Sequence, residues 1–116
     1  MGLKNEIKNK IISKKDEDKM KDLQFLILSS NLKKLKKIYE KEGIGKGKLL
    51  SYLFESINFE KINKNKLKEW KDKKEFKGKR VKYRIRENSF NKLKSFCNSN
   101  DIHLYSLTNL IISKYL

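Results

Sequence analysis

The sequence predicts a mainly α-helical fold with two short strands that pair, made by two copies of one strand–helix–helix unit sharing a core. Three observations lead there. The apolar residues follow one pattern twice, in phase at an offset of 58 residues, so that Leu23, Phe25 and Ile27 fall on Val81, Tyr83 and Ile85. Within each copy the apolar period changes from two residues, as in a strand, to the wider spacing of a helix. Each copy, about 36 residues long, has a lone strand with two unpaired edges and too little surface for its own core, so it needs its twin.

The elements follow in chain order. Residues 1–20 form a basic N-terminal arm in which Leu3, Ile7 and Ile11 recur every four residues, as in a short amphipathic helix. Copy 1 spans residues 21–58. Its strand alternates on Leu23, Phe25 and Ile27, and its first helix runs on Leu32, Leu35, Ile38 and Tyr39 with Ser30 or Asn31 as N-cap. Gly43 ends that helix, and a second follows on Leu49, Leu50, Leu53, Phe54 and Ile57. Residues 59–79 form a charged, partly helical linker anchored by Leu67, Trp70 and Phe76, long enough to return the chain beside the first strand. Copy 2 spans residues 80–116, with a strand on Val81, Tyr83 and Ile85 and a first helix on Phe90, Leu93, Phe96 and Cys97, capped by Asn88 or Ser89. The polar turn Asn98–Asp101 ends that helix, and the last helix runs on Leu107, Leu110, Ile111 and Tyr115.

Composition narrows the function classes. The chain has 116 residues, 37% of them hydrophobic, which suits one small domain and argues against wholesale disorder. A formal charge of +16 points to a polyanionic partner, nucleic acid before an anionic membrane. Cys97 is the sole cysteine, so no internal disulfide can form and a reducing cytoplasmic setting is expected. No apolar run approaches a membrane span, and the N-terminus lacks the continuous apolar core of a signal peptide. Met1-Gly2 begins like a myristoylation signal, but Glu6 stands where Ser or Thr is wanted.

Strand, short helix, tight turn and longer helix, in units that must pair, resembles the ribbon-helix-helix family of the MetJ, Arc and CopG type. The residues carrying the resemblance are "VKYRIRENSFNKLKSFCNSNDIHLYSLTNLIISKYL" and, more loosely, "LQFLILSSNLKKLKKIYEKEGIGKGKLLSYLFESI". It implies two ribbon-helix-helix units forming one interlocked pseudo-dimer, whose antiparallel ribbon enters the major groove of double-stranded DNA. Most members pair two single-copy chains; this sequence carries both copies, as tandem members do.

The stretch "KGKRVKYRIREN" holds every arginine of the chain: Arg80, Arg84 and Arg86. With Val81, Tyr83 and Ile85 turned inward, alternation turns Arg80, Lys82, Arg84 and Arg86 outward. The resemblance makes Arg80, Lys82 and Arg84 base-reading positions, and the arginine fork suits guanine O6 and N7. Arg86, at the strand's end, is expected on phosphate. The first strand turns Gln24, Leu26 and Leu28 outward, where Gln24 suits adenine and Leu26 a thymine methyl. A strand apolar on both faces is equally suited to being covered by protein.

The resemblance also implies a phosphate clamp at the start of each second helix. In copy 1 that is "GIGKGK", with Gly45 and Gly47 permitting close approach and Lys46 and Lys48 adding charge. It lacks the spacing and the terminal Ser or Thr of a Walker loop. In copy 2 the Tyr105 or Ser106 hydroxyl substitutes.

No cofactor and no catalysis are expected. His103 has no second His or Cys with which to share a metal, Asp16, Glu17 and Asp18 are consecutive and cannot converge, and no nucleophile has a base beside it. Two functions from different classes remain. The first is sequence-specific DNA binding, as a transcriptional repressor or as a DNA-maintenance or transfer accessory factor of a plasmid, phage or other mobile element, with possible self-association on DNA. The second is a protein-interaction adaptor or inhibitor using the apolar first strand and the N-terminal segment. RNA binding fits less well, because Phe25 and Tyr83 fall on the inward face instead of offering rings to unstacked bases.

Overall fold

Alternating apolar residues flanked by charge form strands only if their polar backbone edges find partners, and each strand here finds the other. In the computed structural model, which describes residues 19–73 and 77–116, strands β1 (Met20–Leu28) and β2 (Gly78–Arg86) pair antiparallel. The register places Gln24 opposite Lys82, and these two positions are themselves 58 residues apart. The ladder therefore has a local twofold centre at that pair, in agreement with the repeat offset. The Glu87 N–H donates to the Lys19 carbonyl at 2.8 Å and extends the ladder past Met20, one residue before the expected start of copy 1.

Each strand runs directly into two helices. Helix α1 (Ser29–Glu42) and helix α2 (Lys46–Ser56) follow β1, and helices α4 (Glu87–Asn100) and α5 (Leu104–Tyr115) follow β2. Leu23, Phe25 and Ile27 are buried against Leu35, Ile38, Leu49, Leu53 and Leu107, as the apolar spacing requires. On the same face the Phe25 and Tyr83 rings meet edge to face with centroids 6.0 Å apart. Gly43 closes α1 in the left-handed region at φ 69°, its N–H donating to the Tyr39 carbonyl at 2.8 Å. Asp101 closes α4 in the same region at φ 50°, a conformation its short polar side chain tolerates.

Local capping differs from expectation. The helices begin at Ser29 and Glu87 straight from the strands, with Leu28 and Arg86 in the cap positions, so Ser30, Asn31, Asn88 and Ser89 lie inside the first turn. Asn31 and Ser89 are buried there and bond across the copies. Asn109 Oδ1 accepts from the Leu28 N–H at 2.9 Å and from Asn31 Nδ2 at 2.9 Å. Its Nδ2 donates to the carbonyls of Leu26 at 2.8 Å and Tyr105 at 2.7 Å. The amide thus uses all four of its hydrogen-bonding positions. The corresponding residue of copy 1, Ser51, accepts the Arg86 N–H at 2.9 Å, and the Ser89 hydroxyl donates to the Ser51 carbonyl at 3.0 Å. Lys34 Nζ donates to the Ser113 carbonyl at 3.2 Å, and its counterpart Lys92 donates to those of Phe54, Glu55 and Ile57 at 2.9, 3.3 and 2.7 Å. Each strand end is clasped by the second helix of the other copy.

The linker enters the core earlier than expected. Phe59 and Ile62 are buried, and the Phe59 ring meets Phe96 edge to face at 5.3 Å in a 3₁₀ turn (Phe59–Lys61). Asn63 caps helix α3 (Lys64–Lys71), its side chain accepting from the Asn65 and Lys66 N–H groups at 2.8 and 3.3 Å. Helix α3 lies on α5 through half-buried Leu67 and Trp70, so these are secondary anchors to Phe59 and Ile62. Phe76 and the N-terminal arm up to residue 18 lie outside the described residues. Tyr39, expected on the apolar face of α1, is instead 52% exposed, with Lys46 Nζ 5.6 Å from its ring centre.

Replacing Asn109 with the similarly sized Leu leaves the Leu28 N–H, the Leu26 carbonyl and Asn31 without that amide. We expect a loss of roughly 2–4 kcal/mol, since each polar group left buried and unmet costs about 1–3 kcal/mol. It should appear as a lower urea midpoint at unchanged slope. An unchanged midpoint would show that the clasp does not hold the copies together.

Candidate functional site

The outer face of the ribbon is set by the register. Its cross-strand pairs are Asp22 with Arg84, Gln24 with Lys82, and Leu26 with Arg80. Five of these six residues are exposed, and Leu26 is half-buried. Arg80, Lys82 and Arg84 stand in one row, alternate residues being about 7 Å apart along a strand. That interval is close to two base-pair steps of about 3.4 Å each. The face offers planar donors at Arg80 and Arg84, an ammonium and an amide at the centre, a carboxylate at one end and an apolar side chain at the other.

Asp22 escaped the reading of the sequence. The offset of 58 residues aligns it with Arg80, and one further step of the strand period would have placed it on the outer face. Leu28, expected outward, is half-buried opposite Gly78, where the strand turns into α1.

Arg86 corrects a second expectation. Alternation along the strand puts it outward and on phosphate, yet it is 1% exposed. Arg86 is both the last residue of β2 and the cap residue of α4, and its side chain lies against α2. Its guanidinium sits 4.3 Å from the Tyr52 ring centre, donates from Nη2 to the Tyr52 hydroxyl, and has Nη1 3.6 Å from Glu55 Oε2. Its counterpart in copy 1 is Leu28, so the buried charge belongs to one half of the fold only.

The first turn of α2 borders the Arg84 end of the ribbon. Gly45 is the extended N-cap, and Lys46, Gly47 and Lys48 are half-buried. A Cβ on Gly47 would collide with the Arg84 carbonyl oxygen, so this glycine admits the strand and not an anion as expected. The first turn of α5 borders the Leu26 end. There Tyr105 is half-buried and its ring stacks on His103 at 5.2 Å and 7°. Ser106 is 1% exposed, facing inward on the turn, so its hydroxyl cannot take the phosphate contact expected of it.

Of the remaining reactive side chains Cys97 is buried, whereas Lys92 and His103 are exposed. Burial pushes the Cys97 thiol up to about 11, which suits a packing role. Burial also lowers the Lys92 pKa, opposed by nearby Glu55, while the ammonium caps the end of α2. Among the described residues no group of three His, Cys, Asp or Glu could hold a metal ion, and no helix is long and apolar enough to cross a membrane.

Comparisons with family models, curated proteins and solved structures return no match. The residues themselves carry the functional reading.

The contrast between Arg86 and Arg84 is measurable without any partner. Arg86→Ala strands Glu55 and Tyr52 and should destabilise by roughly 3 kcal/mol, near the low end for a broken buried pair because Glu55 keeps some water. Arg84→Ala should stay within about 0.5 kcal/mol of the parent, as expected of an exposed side chain. Urea unfolding distinguishes them, and equal effects would contradict the placement of Arg86.

Proposed function

We propose that this chain is a tandem ribbon-helix-helix protein that binds double-stranded DNA by laying the β1–β2 ribbon in the major groove. Its two units, residues 20–58 and 78–116, act as an interlocked pseudo-dimer within one chain. The observation that carries this reading is the row Arg80, Lys82 and Arg84 on the outer face of a ribbon centred on Gln24 and Lys82. Two-stranded ribbons fit the major groove, and arginine recognises guanine there through two donors at once. Lys46 and Lys48 flank the ribbon and supply phosphate contacts, which add affinity without sequence information. The role is that of a transcriptional repressor, or of an accessory factor in the maintenance or transfer of a mobile element.

The cross-strand pairs suggest what is read. Arg84 beside Asp22 sets a double donor next to an acceptor, matching guanine O6 and N7 and the N4 amino group of the paired cytosine. Arg80 beside Leu26 joins a guanine contact to an apolar surface for a thymine methyl, and Gln24 at the centre suits adenine.

Selection from a random duplex library tests this directly. We expect an enriched motif that is not a perfect palindrome, because Asp22 and Leu26 are not interchangeable with Arg80 and Arg84. On that motif Arg84→Ala should cost about 1–3 kcal/mol and relax one base position. Equal loss on the motif and on random DNA would reduce Arg84 to a phosphate contact. No enrichment at all would favour the interaction-protein reading, in which Leu26 and its surroundings meet a protein.

A further inference from the structure

The local twofold axis relates the two ends of the ribbon in backbone but not in charge. At one end Arg84 touches the first turn of α2 through Gly47. At the other, Asn109 Nδ2 bonds the carbonyls of both Leu26 and Tyr105, which fixes the first turn of α5 beside Leu26. The first turn of α2, at the Arg84 end, carries Lys46 and Lys48, with Lys46 Nζ 5.6 Å from the Tyr39 ring centre. The positions 58 residues later, in the first turn of α5 at the Leu26 end, hold Leu104 and Ser106. Both lysines are lost, and Ser106 is buried. Asp101 on that flank is paired with Lys71 at 3.6 Å, and Lys79 and Arg80 are the strand's own exposed cations there.

The strands divide the opposite way: β2 carries the arginines and β1 carries none. Because the second helix of each copy packs on the strand of the other, the first turn of α2 with Lys46 and Lys48 meets the Arg84 end of β2. The interlocking thus sets these two lysines beside Arg84, whereas Arg80, at the other end, faces the flank where Leu104 and Ser106 replace them.

We propose that the protein grips DNA with a fixed polarity, neutralising phosphates mainly on the flank beside Arg84 and few on the flank beside Leu26. This rests on the DNA-binding reading above. A phosphate met by lysine releases condensed counterions, so each such contact adds affinity and steepens the salt dependence. A serine or leucine at the same place does neither. On a nearly symmetric site, a nearly symmetric fold could otherwise bind in either direction. The one-sided lysines make the directions unequal, so the orientation is chosen by phosphate contacts as well as by bases.

The test uses the full chain and the duplex recovered by selection, with neutral methylphosphonate linkages substituted across one flank or the other. Binding is followed by fluorescence anisotropy at several salt concentrations. Substitution in one flank should weaken binding at least about tenfold, and in the other less than about threefold, given the steep dependence on phosphate number. Lys46→Gln with Lys48→Gln should abolish that difference and reduce the salt slope by about 1–2. Leu104→Lys should create new sensitivity in the tolerant flank. Equal losses in both flanks, or a one-sided loss that survives the double glutamine variant, would overturn the polarity while leaving DNA binding intact. Failure to recover any motif would overturn the DNA-binding reading and the polarity with it.

Discussion

Everything in this molecule depends on the pairing of β1 with β2. Among the described residues neither strand has another partner, and the apolar face of the pair is the floor on which the helices of both copies pack. The register explains why the pairing is between unlike strands. Opposite itself about the same centre, β2 would set Lys82 against Lys82 and Arg80 against Arg84, and like charges facing across a ladder destabilise it. Opposite β1, the same residues meet Gln24, Leu26 and Asp22, and Arg84 gains an oppositely charged neighbour. The charge that makes the outer face a plausible DNA reader therefore also selects the partner strand.

The twofold arrangement then propagates through polar clasps. Asn109 and Ser51 occupy corresponding positions and secure the strand ends of the opposite copy, as Lys34 and Lys92 secure opposite helix ends. They share geometry more than chemistry: an amide in one half does with four bonds what a hydroxyl does in the other with fewer. The copies have diverged freely wherever backbone geometry alone was needed. Arg86 and Leu28 show the extreme, a buried guanidinium against an apolar side chain at one pseudo-equivalent position. The linker completes the unit by adding Phe59 and Ile62 to the core, so it joins the copies by packing as well as by tethering.

Most of the architecture was legible because periodicity reports which face is buried. The two strands, the four repeated helices and their offset all follow from apolar spacing, and the offset coincides with the twofold centre of the ladder. What escaped was decided by tertiary neighbours. Arg86 obeys strand alternation in sequence but sits where strand becomes helix, and only the position of Tyr52 and Glu55 on α2 reveals that its charge is enclosed. Asn31 and Ser89 look like caps in isolation; their partners are about eighty and forty residues away, beyond the reach of any local pattern. Gly47 looks like a loop glycine made for an anion, yet the strand carbonyl beside it takes the space. Of the candidate site, the row Arg80, Lys82 and Arg84 was readable from alternation, and the same period carried one step further reaches Asp22, whose place opposite Arg84 only the register shows.

The fold requires both strands of one chain to pair with each other. Sedimentation equilibrium at micromolar concentration without DNA measures this most directly. A single species of 13.9 kDa is expected, because the linker keeps the copies at high effective concentration. A species of twice that mass that resists dilution would show that copies are exchanged between chains, and the intrachain ribbon would have to be abandoned.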